Sequence, residues 1–347
     1  MAYTTINKSS DYFNTKLYTG NGGTQSITGV GFQPDFTWIK PRSQAEKHSL
    51  TDAVRGAGKV IQSDTTVAEF TNTDYISSFI SDGFSIGSNF RVNTNSTTYA
   101  SWNWKAGGAG SANTAGSINS TVSANTTSGF SIVSYTGTGS NATVGHGLGV
   151  APKMIYVKGR NTGSTNWLTG GTNISSNWGS SLHLNTTGAI DTYNYWQNQA
   201  PNANTFALGT DGANNQSGIN FIAYCFADVQ GYSKFGSYIG NGSTDGPFVY
   251  TGFKPAFVMV KITAGQTDNW IMQDNKINSF NGASSQRLRP NSSGAEFSSS
   301  NEIDLLSNGF KTHGNDGEIN GSGFSYIYMA FAKAPLVGSN NVPCTAR

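Results

Sequence analysis

Three times the chain writes almost the same unreactive pentapeptide: YTGNG at residues 18–22, YTGTG at 135–139 and YIGNG at 238–242. Other residues keep their distance from it. Each copy is followed by a proline and, six residues later, a lysine: Pro34 and Lys40, Pro152 and Lys158, Pro255 and Lys261. Eight residues past each lysine stand His48, Asn166 and Asn269, the last two followed by Trp167 and Trp270. The copies close on YASWNWKA (99–106), FIAYCFAD (221–228) and YIYMAFAK (326–333). Asn93, Asn215 and Asn320 lie eleven residues before Trp104, Phe226 and Phe331. A period held over such distances means that one supersecondary unit is built three times.

The unit reads as β structure. FTWI, MIYV and FVMV after each proline are continuously apolar, as in strands covered on both faces, and a proline fits the first strand position. SDGF (81–84) and SNGF (307–310) are tight turns feeding strands. Aromatics at 12% argue against a disordered chain. The expectation is an all-β protein of three tandem β-sandwich modules of about 100 residues each, a size able to enclose a core. The boundaries follow as an N-terminal arm at 1–16, repeat one at 17–106 and a Gly/Ser-rich linker at 107–126. Repeat two is 127–229, repeat three 230–335 and a C-terminal tail 336–347. Repeats two and three, joined by a short segment, are expected to sit rigidly together.

Composition excludes several functions. Charged residues are 12% of the 347 and the net charge is +2, too weak a field to gather nucleic acid. No apolar run has the roughly 18 residues of a membrane span, and MAYTTINKSS lacks the apolar core of a secretory signal. The expectation is synthesis and folding in a cytoplasm. Cys225, in FIAYCFA, reads as a buried free thiol, so disulfides are not what stabilises the chain.

Chemistry is sparse. GFSIG (83–87) matches G-x-S-x-G, but that motif needs a strained strand-to-helix elbow, and the third repeat has Lys311 where the serine stands. His48, His146, His183 and His313 are scattered without zinc spacing. Asp316 and Glu318, near Asn315 or Asn320, are a candidate calcium pair, although the string is not an EF-hand loop and its plainer reading is a polar hairpin. Tyr193, Tyr195 and Trp196 in DTYNYWQNQ are a candidate carbohydrate platform, although packing into the core or a subunit contact is the favoured reading. Asp52 and Arg55 read as a local ion pair, and Arg287 and Arg289 as a solvated basic face. No cofactor is expected.

The strings SSDYFNTKLYTGNG and GVGFQPDFTWIKPRS, then HSLTDAVRG, SDGFSIG and YASWNWKA, resemble a repeat of tailed-bacteriophage virion proteins, marine and cyanobacterial phages among them. The resemblance is best over residues 8–106 and in register but weaker beyond; repeat two lacks a clear DGF and the D-x-V-R-G string. It implies jelly-roll or lectin-like modules on a particle surface and no catalytic residues. The expected function is therefore a non-enzymatic virion protein on the tail or fibre that helps adsorption to the host. The alternatives are a head decoration or knob protein and, less favoured, a polysaccharide depolymerase. The partners implied are other virion proteins, with residues 1–16 as an anchor to one, and host surface polysaccharide. No nucleic acid and no membrane insertion are expected; a homotrimer follows by analogy with fibres and knobs. Ligand recognition is expected where the copies disagree.

Overall fold

Each repeat forms the same antiparallel four-stranded arrangement. The computed structural model describes residues 3–278, 281, 285–300, 303–340 and 342–343. The opening strands are Phe13–Thr19, Phe130–Thr136 and Ser233–Ile239. The strands that begin near the repeated prolines are Phe36–Pro41, Met154–Gly159 and Phe253–Ala264, and their outer neighbours are Ser49–Asp52, Leu168–Gly171 and Ile271–Asp274. The closing strands are Thr98–Trp104, Asn220–Phe226 and Ser325–Pro335. In every repeat the order is opening, closing, proline, outer, and in repeat two further strands extend it at both edges. Phe36 pairs with Trp104, Met154 with Phe226 and Phe257 with Phe331, which fixes residue-by-residue equivalence between repeats. The fold is all-β: the described residues add only the single-turn helices Phe90–Asn93 and Gly212–Asn215 and a 3-10 turn, Ser9–Asp11.

The pentapeptide ends the opening strand, and its residues have steric and hydrogen-bonding reasons. The hydroxyls of Tyr18, Tyr135 and Tyr238 donate to the carbonyls of Val92, Asn214 and Ile319, at 2.8, 2.7 and 2.6 Å. Each of those carbonyls belongs to the residue before the repeated asparagine. A Cβ on Gly20, Gly137 or Gly240 would lie 2.1, 2.4 or 2.3 Å from a backbone carbonyl oxygen, so only glycine fits. The buried asparagines bind the same turns. Asn93 accepts from the Asn21 amide, Asn215 from Thr138 and Asn320 from Asn241, and each donates to two backbone carbonyls.

The main sheets are covered on both faces, which is why the proline strands read as continuous apolar runs. One face packs on a smaller sheet of the same repeat. In repeat one this is Gln25–Thr28, Gly83–Ile86 and Ile76–Ile80, with Ile27, Phe84 and Ile86 against Ile39 and Tyr99. Repeats two and three have equivalent local cores. The other face of all three sheets converges on one shared core, including Trp38, Trp102 and Trp104, Phe130, Tyr156 and Phe226, and Phe257, Met259 and Phe331. Phe13 stacks on Phe331 at 4.9 Å and Phe36 on Tyr224 at 4.3 Å, both between repeats. A void of about 10 Å³ lies within this core, among Phe36, Trp104, Phe226 and Phe257.

The three expected modules, the first set off by a linker and the other two rigidly together, are therefore one body with three local cores and a fourth held in common. Residues 107–126 contain the strands Ser111–Asn113 and Ser120–Asn125, which extend the second sheet from Phe130–Thr136 outward. Their polar composition suits strands at a solvated sheet edge, where one face needs no apolar cover. The arm is no free anchor either. Ile6 and Phe13 are buried in the shared core, and the Tyr3 hydroxyl donates to the Gly252 carbonyl of repeat three at 2.7 Å. In the tail, the Ser339 amide donates to Asn7 Oδ1 at 2.7 Å, so the described ends of the chain meet.

A cycle of hydrogen bonds locks the repeats. Lys40 Nζ of repeat one donates to the Ser293 carbonyl of repeat three at 3.2 Å. Lys158 of repeat two donates to Thr66 of repeat one at 3.0 Å, and Lys261 of repeat three to Thr187 of repeat two at 3.2 Å. A second ring runs alongside, from His48 Nε2 to the Arg289 carbonyl, Trp167 Nε1 to Gln62 and Trp270 Nε1 to His183, at 3.1, 2.7 and 3.1 Å. The acceptors of the two rings are four residues apart in every repeat.

Candidate functional site

The residues that resembled catalytic or metal groups have structural partners. Ser85 lies on a strand of the small sheet, with Oγ 3.0 Å from Ser26 Oγ, and no elbow follows it. His48 accepts from Trp38 Nε1 and donates to Arg289, and burial holds its pKa well below the usual value. Asp316 is a turn cap: its Oδ1 accepts from the Glu318 amide and its carbonyl from Asn320. Asn89 and Asp211 cap the equivalent helices of the other repeats. Glu318 is buried in a hydrogen-bonded ion pair with Arg289, and Arg287 is buried with Phe297 against it. The candidate calcium pair is corrected on that ground: one carboxylate closes a turn, the other neutralises an arginine, and Asn320 is spent on the pentapeptide turn. Among the described residues, no three His, Cys, Asp or Glu side chains gather as a metal site. The basic face is corrected for the same reason, since Arg287 is buried rather than solvated.

The aromatic platform is corrected too. Tyr195 and Trp196 are 4% and 1% exposed and belong to the core of repeat two, where Trp196 packs edge-on against Trp178 at 5.3 Å. Trp196 Nε1 donates to Ser181 Oγ, and the Tyr195 hydroxyl donates to Asp191, which also meets His183 Nε2 at 2.8 Å. Only Tyr193, 60% exposed, faces solvent. Amides beside aromatics carried that expectation, and the same pattern serves a core whose indole and phenol need polar partners.

Asp52 and Arg55 form the expected ion pair, but fully buried and between repeats. Tyr224 of repeat two donates to Asp52 at 2.7 Å, and Glu69 bridges Arg55 to Arg160 of repeat two. Burial disfavours the Arg55 charge, and Asp52, Tyr224 and Glu69 outweigh it and hold the guanidinium above its ordinary pKa. Asp274 occupies the equivalent position in repeat three and accepts from Trp102 Nε1 of repeat one at 2.8 Å. Repeat two has Gly171 there and has no such bond to make.

The copies disagree most visibly on the outer face of the third small sheet. Phe248 and Tyr250 flank buried Val249 on the strand Asp245–Tyr250 and are 47% and 56% exposed. Val249 pairs with Phe310 as Ile27 pairs with Phe84 and Val144 with Phe206. The two aromatics therefore stand where repeat one has Ser26 and Thr28 and repeat two has Thr143 and Gly145. The Phe248 ring lies over Gly309, where a Cβ would be 3.0 Å from it. Polar groups border the rings. Lys311, opposite Phe248, pairs with Asp245, and His313 Nε2 is 2.8 Å from Asp304. Tyr3, its pKa pushed up to about 12 by burial and by Tyr250, adds a third ring. Exposed rings beside fixed polar groups place apolar and hydrogen-bonding surface side by side, the surface that an interaction site offers. Sequence reading missed this face, although comparing FVY with SIT and TVG in register exposes it.

A family match decides the kinship: the domain of unknown function DUF7483 matches residues 8–335. The chain belongs to this family. A search of curated proteins returned no match. The DUF7483 domain thus runs from just before the first opening strand to Pro335, the end of the third closing strand, and takes in all three repeats. Among the described residues, all of the shared core except Ile6 falls within that extent, and every repeat contributes to it.

Proposed function

We propose that this chain is a non-enzymatic structural protein of a phage virion, displayed at the surface on the tail or fibre, where it contributes to adsorption to host polysaccharide. The observation that carries the reading is the outer face of the third small sheet, where Phe248 and Tyr250 are held exposed on a rigid three-repeat body. The sequence resemblance to phage virion proteins supports the setting. Side chains that could have done chemistry are committed to caps, ion pairs and inter-repeat bonds, which supports a non-catalytic role. A body closed by two hydrogen-bonded rings suits display on a particle, where repetition of weak contacts supplies avidity. Docking to other virion proteins belongs to this proposal, as does synthesis in the host cytoplasm.

Immuno-electron microscopy of particles tests the location, and adsorption of particles carrying Phe248→Ser with Tyr250→Thr, the residues of repeat one, tests the role. Tail labelling with reduced adsorption is the expected result. Head labelling with unchanged adsorption would replace this reading with head decoration. Depolymerisation of host polysaccharide by the purified chain would replace it with an enzyme.

A further inference from the structure

A cleft opens between repeats one and three. Its main lobe, about 290 Å³, is lined by Asn14 and Thr15 of the first opening strand and by Asn275, Lys276 and Lys333 of repeat three. A smaller lobe of about 80 Å³ shares Asn275 and Lys333 and adds Lys254. Half-buried Ala256 gives the main lobe an apolar spot, above Phe13 and Ala332, which are buried in the cores.

Three observations point to a ligand. First, the ammonium groups of Lys254, Lys276 and Lys333 have no hydrogen-bond or ion-pair partner among the described residues, and no carboxylate lines either lobe. Second, Thr15 Oγ1 is buried at the cleft without a partner, a hydroxyl whose desolvation nothing in the chain offsets. Third, the lysines break the repeat. In register, Lys254, Lys276 and Lys333 correspond to Gln33, Val54 and Ala106 in repeat one and to Ala151, Asn173 and Asp228 in repeat two. A requirement of the fold would recur in every copy; three cations placed at one boundary are local to it.

We propose that this cleft binds an acidic saccharide. Its carboxylate or sulfate sits among Lys254, Lys276 and Lys333, its hydroxyls meet Thr15 Oγ1 and the Asn275 amide, and a sugar C–H face rests on half-buried Ala256. Thr15 and Asn275 beside the lysines favour a hydroxyl-bearing sugar over a bare anion, which the lysines alone would hold. A nucleic acid is disfavoured, because the cleft has neither exposed rings for bases nor a basic track for a phosphate backbone. The inference stands on the cleft alone and holds wherever the protein is displayed.

The test is titration calorimetry on the full chain with an oligogalacturonate and a heparin-type sulfated oligosaccharide. A neutral oligosaccharide, inorganic sulfate and single-stranded DNA are the controls. Binding of an acidic oligosaccharide that weakens with salt is expected, with at least ten-fold loss in Lys276→Asn/Lys333→Ala. Both lysines are exposed, so the variant should keep the wild-type urea midpoint. Thr15→Val should weaken the oligosaccharide while leaving sulfate unchanged. Binding of neither acidic probe, or equal binding by the lysine variant, overturns the proposal. So does tighter binding of DNA, or of sulfate alone.

Discussion

Lys158 of the second repeat donates to the Thr66 carbonyl of the first at 3.0 Å, and burial lowers its pKa to about 8. Lys40 and Lys261 make the equivalent bonds to their own neighbours and are lowered to about 8 for the same reason. Three ammonium groups thus join the repeats while each resists being charged there.

The pH dependence of stability follows. The folded pKa lies below the ordinary lysine value of about 10.4, so between pH 8 and 10 the unfolded chain binds more protons and stability rises with pH. Each lysine contributes a slope of up to about 1.4 kcal/mol per pH unit. Urea midpoints of wild type and Lys158→Met between pH 8 and 9.8 should diverge in favour of wild type as pH rises. Staying below pH 10 avoids the buried tyrosines, whose raised pKa values act in the opposite sense once unfolded tyrosine ionises. Parallel curves would show that Lys158 is not desolvated.

The asparagine clamp predicts a large cost for a small truncation. Asn215→Ala removes bonds to the Thr138 amide and to the Ser140 and Gly209 carbonyls, and leaves those groups without the partner that closes the turn. The expected loss is about 2–4 kcal/mol in chemical denaturation. A loss under 1 kcal/mol would mean that the turn holds itself.

The shared core predicts that no repeat folds alone. Residues 127–229 expressed by themselves would expose Phe130, Tyr156, Tyr224 and Phe226, all buried in the whole chain. Circular dichroism should show no cooperative thermal transition, with dye binding to exposed apolar surface. A sharp reversible transition would restore the picture of separable modules.

The Asp52–Arg55 pair predicts non-additivity. Arg55→Met leaves the Asp52 carboxylate buried without its cation and should cost about 3–5 kcal/mol. Adding Asp52→Leu removes the stranded charge and should recover part of that loss in a double-mutant cycle. Additive losses would show that the pair is not coupled.

Much of the local structure was legible in the chain. The proline strands, the pentapeptide turns, the aromatic closing strands and the all-β class follow from spacing and residue type, because strand periodicity and turn sterics act over a few residues. The linker was misread because a polar edge strand and a flexible linker share a composition, and only the partner strand distinguishes them. For Tyr195 and Trp196 core packing was the favoured reading and holds, but a sugar platform stayed open because an aromatic beside amides looks the same whether the amides face water or satisfy a buried indole.

By itself the sequence determined that one β unit is written three times and where each copy turns. The tertiary structure decided that the copies fold around one core. A strand covered on both faces announces burial, yet the second cover belongs to a side chain more than a hundred residues away. Phe36 meets Tyr224, and Lys40 meets Ser293, only because three sheets present their apolar faces to a common centre. Hydrophobic burial is non-directional, so the residue pattern records that a face must be covered and is silent on which surface covers it.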